Sequence, residues 1–295
     1  MPFVLKKFNA VKGKKIQQFL LDDAGLSSSI SQRLLAKNRV FDDQGNALKN
    51  GQILNSEYVE VAVFEGQTRG LKPIFEADDF AVFDKPSGLM VHPTRKTTRY
   101  SLLDEVRHHF GDKADLVHRI DAETSGLVLV AKNKQANTLL KALFENRECT
   151  KEYLAIVKGQ LKNDVTIDKP ISKSDSAITI RMTCENEQGK ASVTHIQPLK
   201  FNEKNNTTLV KAMPVTGRQH QIRVHLDLIG HRILGDPIYG VDDQVANQCL
   251  KKTLSEKERI ELTGAKRLML HANNLSFIYK DKKYDISSKF SKFYK

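Results

Sequence analysis

The sequence predicts an α+β fold on a mixed β-sheet, and three observations carry that prediction. Apolar segments at 80–83 and, more strongly, at 126–131 are bounded by polar residues, as strands are. After the second, Ala136, Leu139, Leu140, Leu143 and Phe144 recur at helical spacing, and a further strand follows at 153–157. Strand, helix and strand with additional hairpins lay helices against a sheet. A length of 295 residues suits one or two domains.

Residues 1–65 read as a small separate α/β module. Ile16, Phe19, Leu20 and Ala24 are spaced as on a helix, and Ser27-Ser28-Ser29 can cap a second helix carrying Ile30, Leu34 and Leu35. Arg33, Lys37 and Arg39 lie along that helix and just beyond it. Val40-Phe41, the turn-rich 42–46 and the alternating 58–63 predict short strands around a turn. Residues 66–72 form a polar linker ending at Pro73, and a second domain spans 73–295. Within it the charged stretch 242–266, with Leu254, Ile260 and Leu262 sparsely placed, reads as a surface excursion before a final strand at 268–272. The lysine-rich end from Lys280 to Lys295 is either a last strand or a basic tail. No internal repeat is evident.

Lysine and arginine number 47 against 35 acids, a net charge of +12. A polyanion is the natural partner, because neutralising phosphates releases condensed counterions. Charge alone does not decide this, since many basic proteins bind nothing acidic. No apolar run reaches ~18 residues, which argues against a membrane span, and the opening MPFVLKKFNA lacks an export signal, so a cytoplasmic protein is expected. Cys149, Cys184 and Cys249 are too scattered for a zinc site or a disulfide framework and are expected as free thiols.

Three segments concentrate polar residues within structured sequence. In the first, an apolar lead-in gives way to His118-Arg119-Ile120-Asp121, then Thr124-Ser125-Gly126, then a buried strand. Asp121 thus sits on a loop between rigid elements, where reactive groups are often found, although turn-forming or salt-bridged roles are commoner for a loop aspartate. In the second, Lys151-Glu152-Tyr153 opens a strand, a position where tyrosine is more often core. The third is 214–226: Thr216 can cap a helix with Ile222, Leu226 and Ile229 on one face and Arg218, His220, Arg223 and His225 over the remaining surface.

Together these segments resemble the RluA-type family of pseudouridine synthases. Supporting matches are Asp84-Lys85-Pro86-Ser87-Gly88 with Val91-His92-Pro93, then Gly235-Asp236-Pro237-Ile238-Tyr239-Gly240, and Leu270-His271-Ala272, in family order across the whole second domain. Residues 1–65 resemble the S4 RNA-binding domain in Gly25-Leu26-Ser27 and Asn38-Arg39-Val40, while Lys15-Ile16-Gln17-Gln18 departs from its usual entry. The resemblance implies a central, largely antiparallel mixed sheet with flanking helices. It implies Asp121 as catalytic aspartate, Tyr153 as the aromatic stacking on the target uracil and Arg223 as the basic partner of the aspartate. Arg119 matches a position associated with pushing the base from its stack. His118, Thr124, Arg218, His220 and Ile222 complete the expected substrate site, and Arg33, Lys37 and Arg39 the S4-like RNA surface.

The reaction so implied breaks the C1′–N1 bond, rotates the uracil and rejoins it through C5, without redox change, so no cofactor or metal is expected. A carboxylate can attack C1′ or C6 or promote elimination from C2′. A nearby guanidinium would keep it ionised despite burial, so Asp121 and Arg223 are expected as a buried ion pair. The expected partner is structured RNA, 23S ribosomal RNA by the S4-like module and tRNA as the alternative, with no membrane and a monomeric enzyme. Two other classes compete. A non-catalytic ribosome-assembly factor explains the charge but not Asp121, Tyr153 and Arg223 together, and a metal-dependent nuclease lacks H-E-x-x-H or a compact carboxylate cluster.

Overall fold

The computed structural model describes residues 3–93 and 100–289, so the end of the lysine-rich segment, 290–295, lies outside the described residues. The described residues form two compact units, one of residues 3–68 with Pro93 and Tyr100, the other of residues 69–92 and 101–289. Among the described residues no helix is long and apolar enough to cross a membrane.

The first unit comprises β1 (Phe3–Asn9), α1 (Ile16–Asp22), α2 (Ser28–Ala36), β2 (Val40–Phe41) and β3 (Tyr58–Phe64). Its three strands form an antiparallel sheet in the order β1, β3, β2. Ile16, Phe19 and Leu20 of α1 and Leu34 and Leu35 of α2 bury against Val40, Val59 and Val61. Strand β1 carries no apolar alternation because most of its side chains are exposed, and periodicity does not reveal it. Ser27 is the N-cap of α2, but its hydroxyl meets Ser29 Oγ at 3.3 Å and makes no capping bond to the helix. Arg33 is exposed on α2, Lys37 is exposed at its C-cap, and Arg39 just after it is half-buried.

The second unit begins with β4 (Pro73–Glu76), β5 (Phe80–Lys85), α3 (Leu102–Phe110), β6 (Asp115–Leu116), β7 (Ser125–Ala131), α4 (Lys134–Glu145) and β8 (Thr150–Lys158). It continues with β9 (Val165–Asp168), β10 (Ser172–Lys173), β11 (Met182–Thr183), β12 (Val193–Asn202), β13 (Thr207–Pro214) and α5 (Gln221–Leu228). Last come α6 (Asp243–Lys251), α7 (Glu256–Thr263), β14 (Leu270–Tyr279) and β15 (Lys282–Ser287). The sheet runs β4-β5-β7-β14-β8-β13-β12-β9, with β15 on β14 and β6 on β7. Its pairings among described residues are antiparallel except β7 with β14. This is the expected α+β architecture on a mixed, largely antiparallel sheet.

Stretch 242–266, expected as a surface excursion, carries the helices α6 and α7. Asp242 accepts from Val245 N at 2.7 Å to start α6, and Ser255 and Glu258 close a capping box on α7. Ile260 and Leu262 stay exposed, which is why α7 shows no apolar periodicity. The expected final strand at 268–272 is the start of the ten-residue β14, and β15 follows it.

The Tyr153 strand, β8, lies between β14 and β13. Its Ala155 and Val157 pack in one cluster with Ile222 and Leu226 of α5, so α5 lies on that face. The loop bearing Asp121 enters β7, whose Gly126 has φ +111° and would place an added Cβ 2.2 Å from the Ala272 carbonyl oxygen of β14. Glycine there permits the parallel β7–β14 contact next to the loop. Gly126→Ala is expected to lower the unfolding free energy by about 3 kcal/mol or more, or to prevent folding, read by denaturant titration.

Candidate active site

Asp121, Tyr153, Arg223, Arg119, His118, Thr124, Arg218, His220 and Ile222 all line one cavity of about 640 Å³, a volume typical of small-ligand sites. They arrive from the β6–β7 loop, from β8 and from α5 with the turn before it. Arg33, Lys37 and Arg39 belong to the other unit.

The loop bearing Asp121 is held from both ends. On the entering side, His118 stacks on Phe144 with ring centroids 4.4 Å apart, and its Nε2 accepts from Leu129 N at 3.0 Å. An imidazole that accepts from a backbone N–H is neutral, in keeping with burial and the Lys151 charge pushing His118 down to about 3. His118 therefore anchors the loop. On the leaving side, the fully buried Lys85 donates from Nζ to the carbonyls of Pro86, Leu89 and Ala122 at 3.0, 2.8 and 2.9 Å. Ser87 Oγ donates to Glu123 O at 2.6 Å, and the buried Thr124 donates its N–H to Asp121 O at 3.2 Å. Burial brings the Lys85 ammonium down to about 7 against the opposing charges of Asp121 and Glu123.

Helix α5 differs from expectation in two ways. It starts at Gln221, its N-cap is His220 at φ 56°, and Thr216 does not cap it. Thr216 Oγ1 instead donates to Gln221 Oε1 at 2.7 Å and accepts from Val193 N at 3.2 Å. Gln221 Nε2 continues to Val193 O at 2.8 Å, so the glutamine ties the turn to β12. Nor do all the basic residues spread over the surface: Arg223 is 3% exposed and His225 is fully buried. His225 resides there as an imidazole bonded to Thr194 Oγ1 and the Lys169 carbonyl at 2.9 and 3.1 Å.

Arg223 is buried because two carboxylates receive it. Its Nε and Nη2 fork onto Asp236 Oδ2 and Oδ1 at 2.7 and 2.8 Å, and its Nη1 donates to Asp121 Oδ2 at 2.9 Å. Asp236 Oδ1 also accepts from the Ile238 and Tyr239 amides, at 2.9 and 3.1 Å. Both Asp236 oxygens therefore accept hydrogen bonds, and the trio of two carboxylates and one guanidinium carries one net negative charge. Asp236 is fully buried whereas the Asp121 side chain is 28% exposed, so that charge faces the cavity at Asp121. Burial alone would raise the Asp121 carboxyl, but the Arg223 charge and hydrogen bond hold it below its ordinary value. Sequence reasoning quoted Asp236 only within a motif and assigned it no role, because pairing across 13 residues through a buried turn leaves no periodic signal.

His220 lines the cavity, backed by the buried Tyr239. Tyr239 Oη accepts from Met182 N and meets His220 Nδ1, each at 3.0 Å. Burial raises the Tyr239 phenol, so it remains protonated at neutral pH. His220 Nε2 lies 3.9 Å from Asp121 Oδ2. Burial and Arg223 pull His220 down to about 4. Tyr153 is half-buried, and burial and the Asp121 charge raise its phenol, which stays protonated at neutral pH. Arg119 is exposed and Arg218 half-buried.

A family model described as RNA pseudouridylate synthase matches residues 79–228, which span Asp121, Tyr153 and Arg223. The chain belongs to this family. A Helicobacter pylori (strain J99) protein named as an uncharacterized RNA pseudouridine synthase is 38% identical over 98% of this chain and 96% of its own. The Escherichia coli K12 protein named ribosomal large subunit pseudouridine synthase D is 33% identical over 77% of this chain and 68% of its own. Among solved structures, human RNA pseudouridylate synthase domain containing 1 superposes with a TM-score of 0.60 at 26% identity, covering 77% of this chain and 86% of that one. The protein is an RNA pseudouridine synthase, an isomerase.

The buried trio sets a stability expectation. Arg223→Met leaves two carboxylates uncompensated and is expected to cost the synthase about 3 to 5 kcal/mol of unfolding free energy. Adding Asp236→Asn to it removes one of those charges and should recover part of the loss, a non-additivity that a double-mutant cycle in denaturant measures.

Proposed function

We propose that this synthase modifies uridines in large-subunit ribosomal RNA, taking the target base into the cavity and isomerising it with Asp121 as the catalytic carboxylate. The observation that carries this reading is the placement of Asp121, ionised by Arg223 and partly exposed, in one cavity with Tyr153. Each of the three routes, attack at C1′, attack at C6 or elimination from C2′, requires Asp121 in its charged form. Arg223 supplies that state, and Asp236 prevents the guanidinium from neutralising Asp121 completely.

A stacked base is beyond reach of this carboxylate and must be flipped out, at a cost of a few kcal/mol. Stacking on Tyr153 would return about 1 to 3 kcal/mol of it, and the exposed Arg119 beside the loop is suited to fill the vacated stack. The phenol, protonated at neutral pH, would act through its hydroxyl as a hydrogen-bonding relay for the C5 proton rather than as a phenolate. The relatives named for the ribosomal large subunit, the net charge of +12 and the basic residues Arg33, Lys37 and Arg39 of an S4-like first unit support the ribosomal substrate over tRNA. A ribosomal substrate supports the expected cytoplasmic location.

Carbodiimide-dependent reverse-transcription stops, mapped in ribosomal RNA and tRNA from cells with and without the gene, test the substrate. A stop lost from large-subunit RNA is expected, and a stop lost from tRNA alone would refute the assignment. Tyr153→Phe should bind RNA as wild type does and turn over about 100-fold more slowly. Full activity would reduce Tyr153 to a stacking platform. With Asp121 held below its ordinary range and His220 at about 4, kcat/KM should show no acid limb between pH 5 and 7. A histidine-like loss of activity below about pH 6.5 would contradict a neutral His220.

A further inference from the structure

One wall of the cavity is cationic, and the chemistry at Asp121 makes no use of it. Lys151 and Tyr153 are two residues apart on β8 and share a face, so the lysine extends the surface on which the base would stack. Both line the cavity, as does Arg147 from the turn between α4 and β8. Lys151 is half-buried, and its Nζ has one long bond, 3.4 Å to the Thr216 carbonyl. Among the described residues, neither Lys151 nor Arg147 makes an ion pair with a carboxylate. The acids lining the cavity are Asp121, already bonded to Arg223, and the exposed Glu145. Burial, with Arg147 adding to it, pulls the Lys151 ammonium below its ordinary value, so the two cations disfavour each other.

The backbone at Arg147 is a second, independent observation. Helix α4 ends in a complete left-handed capping motif: Arg147 N donates to Phe144 O at 3.3 Å and Glu148 N to Leu143 O at 2.8 Å. Arg147 is the left-handed residue of that motif, at φ 63°, the position that glycine ordinarily fills. An arginine is therefore held in a conformation that its Cβ disfavours, near a half-buried lysine. Helix termination uses a left-handed residue here, as it does at Lys252 after α6, but does not require a cation. An anion between the two side chains would give each cation a partner.

We propose that Lys151 and Arg147 form a binding site for a backbone phosphate of the nucleotide whose base stacks on Tyr153. The inference rests on the uridine-isomerising reading of this cavity and adds to it the element that recognises the sugar-phosphate. Phosphate contact at this wall would hold the flipped nucleotide in the cavity equally in the ground state and the transition state.

Full-length wild type, Lys151→Met, Lys151→Arg and Arg147→Gly are compared on one large-subunit ribosomal RNA transcript. Pseudouridine formation, RNA binding across a potassium chloride series and thermal midpoint are all measured. Lys151→Met and Arg147→Gly should each raise KM about tenfold with kcat within about twofold. Each should also lower the slope of log affinity against log salt by about 1. Lys151→Arg should retain the wild-type slope. Arg147→Gly relieves the left-handed strain and should keep or raise the thermal midpoint while weakening RNA binding, opposite signs that a structural role cannot produce. Unchanged slopes and KM, or losses that follow a lowered midpoint, overturn the phosphate site while wild-type turnover leaves the isomerase reading intact. A wild-type enzyme that forms no pseudouridine in any ribosomal or transfer RNA removes the isomerase reading and this proposal with it.

Discussion

The fold is arranged around a guanidinium that cannot reach bulk water. Arg223 is 3% exposed, and removing such a charge from water costs several kcal/mol unless opposite charge and hydrogen bonds offset it. Asp236 provides most of the compensation, with both oxygens on Nε and Nη2 and two backbone amides fixing it from behind. The third nitrogen then projects toward Asp121. One carboxylate neutralises the arginine and the other is oriented by it, so Asp121 keeps its charge and a defined direction in a partly dry cavity.

The surrounding structure serves that arrangement. Asp121 lies on a loop, yet Lys85 clamps the carbonyl next to it and His118 fixes its entrance, so the carboxylate is presented from rigid ends. Gly126 lets β7 approach β14 closely, and β14 pairs in turn with β8, which carries Tyr153. Helix α5 is seated on β8 and its neighbours through Ile222 and Leu226, which sets the height of Arg223, while Gln221 locks the preceding turn. The apolar contacts set positions to the precision that the charged contacts need.

Much of this was legible from residue order, and the limits are physical. Strands β5 and β7 announced themselves as short apolar runs bounded by polar residues, and helix α4 by apolar residues recurring at helical spacing. The nine cavity residues were named through the resemblance to a family, which brings together positions as distant as Arg119 and Arg223; spacing alone left Asp121 an ordinary loop carboxylate. Periodicity cannot report a buried charge, because burial of Arg223 and His225 depends on partners contributed by other elements. For the same reason Asp236 and Lys85 remained unassigned until the chain was folded. Helix α7 was missed for the opposite reason: with Ile260 and Leu262 exposed it has no apolar stripe, although the Ser255 and Glu258 spacing of its capping box was present in the sequence.

The central claim is that the charge left on Asp121 drives the rearrangement at C1′. Isomerisation exchanges the hydrogen at C5 for a carbon bond, so RNA transcribed with 5-tritiated uridine releases tritium only when the base is rejoined. Wild-type enzyme should release tritium from large-subunit transcripts, and Asp121→Asn should bind the same RNA with similar affinity and release none above background. Release by Asp121→Asn at the wild-type rate would contradict the assignment of the carboxylate.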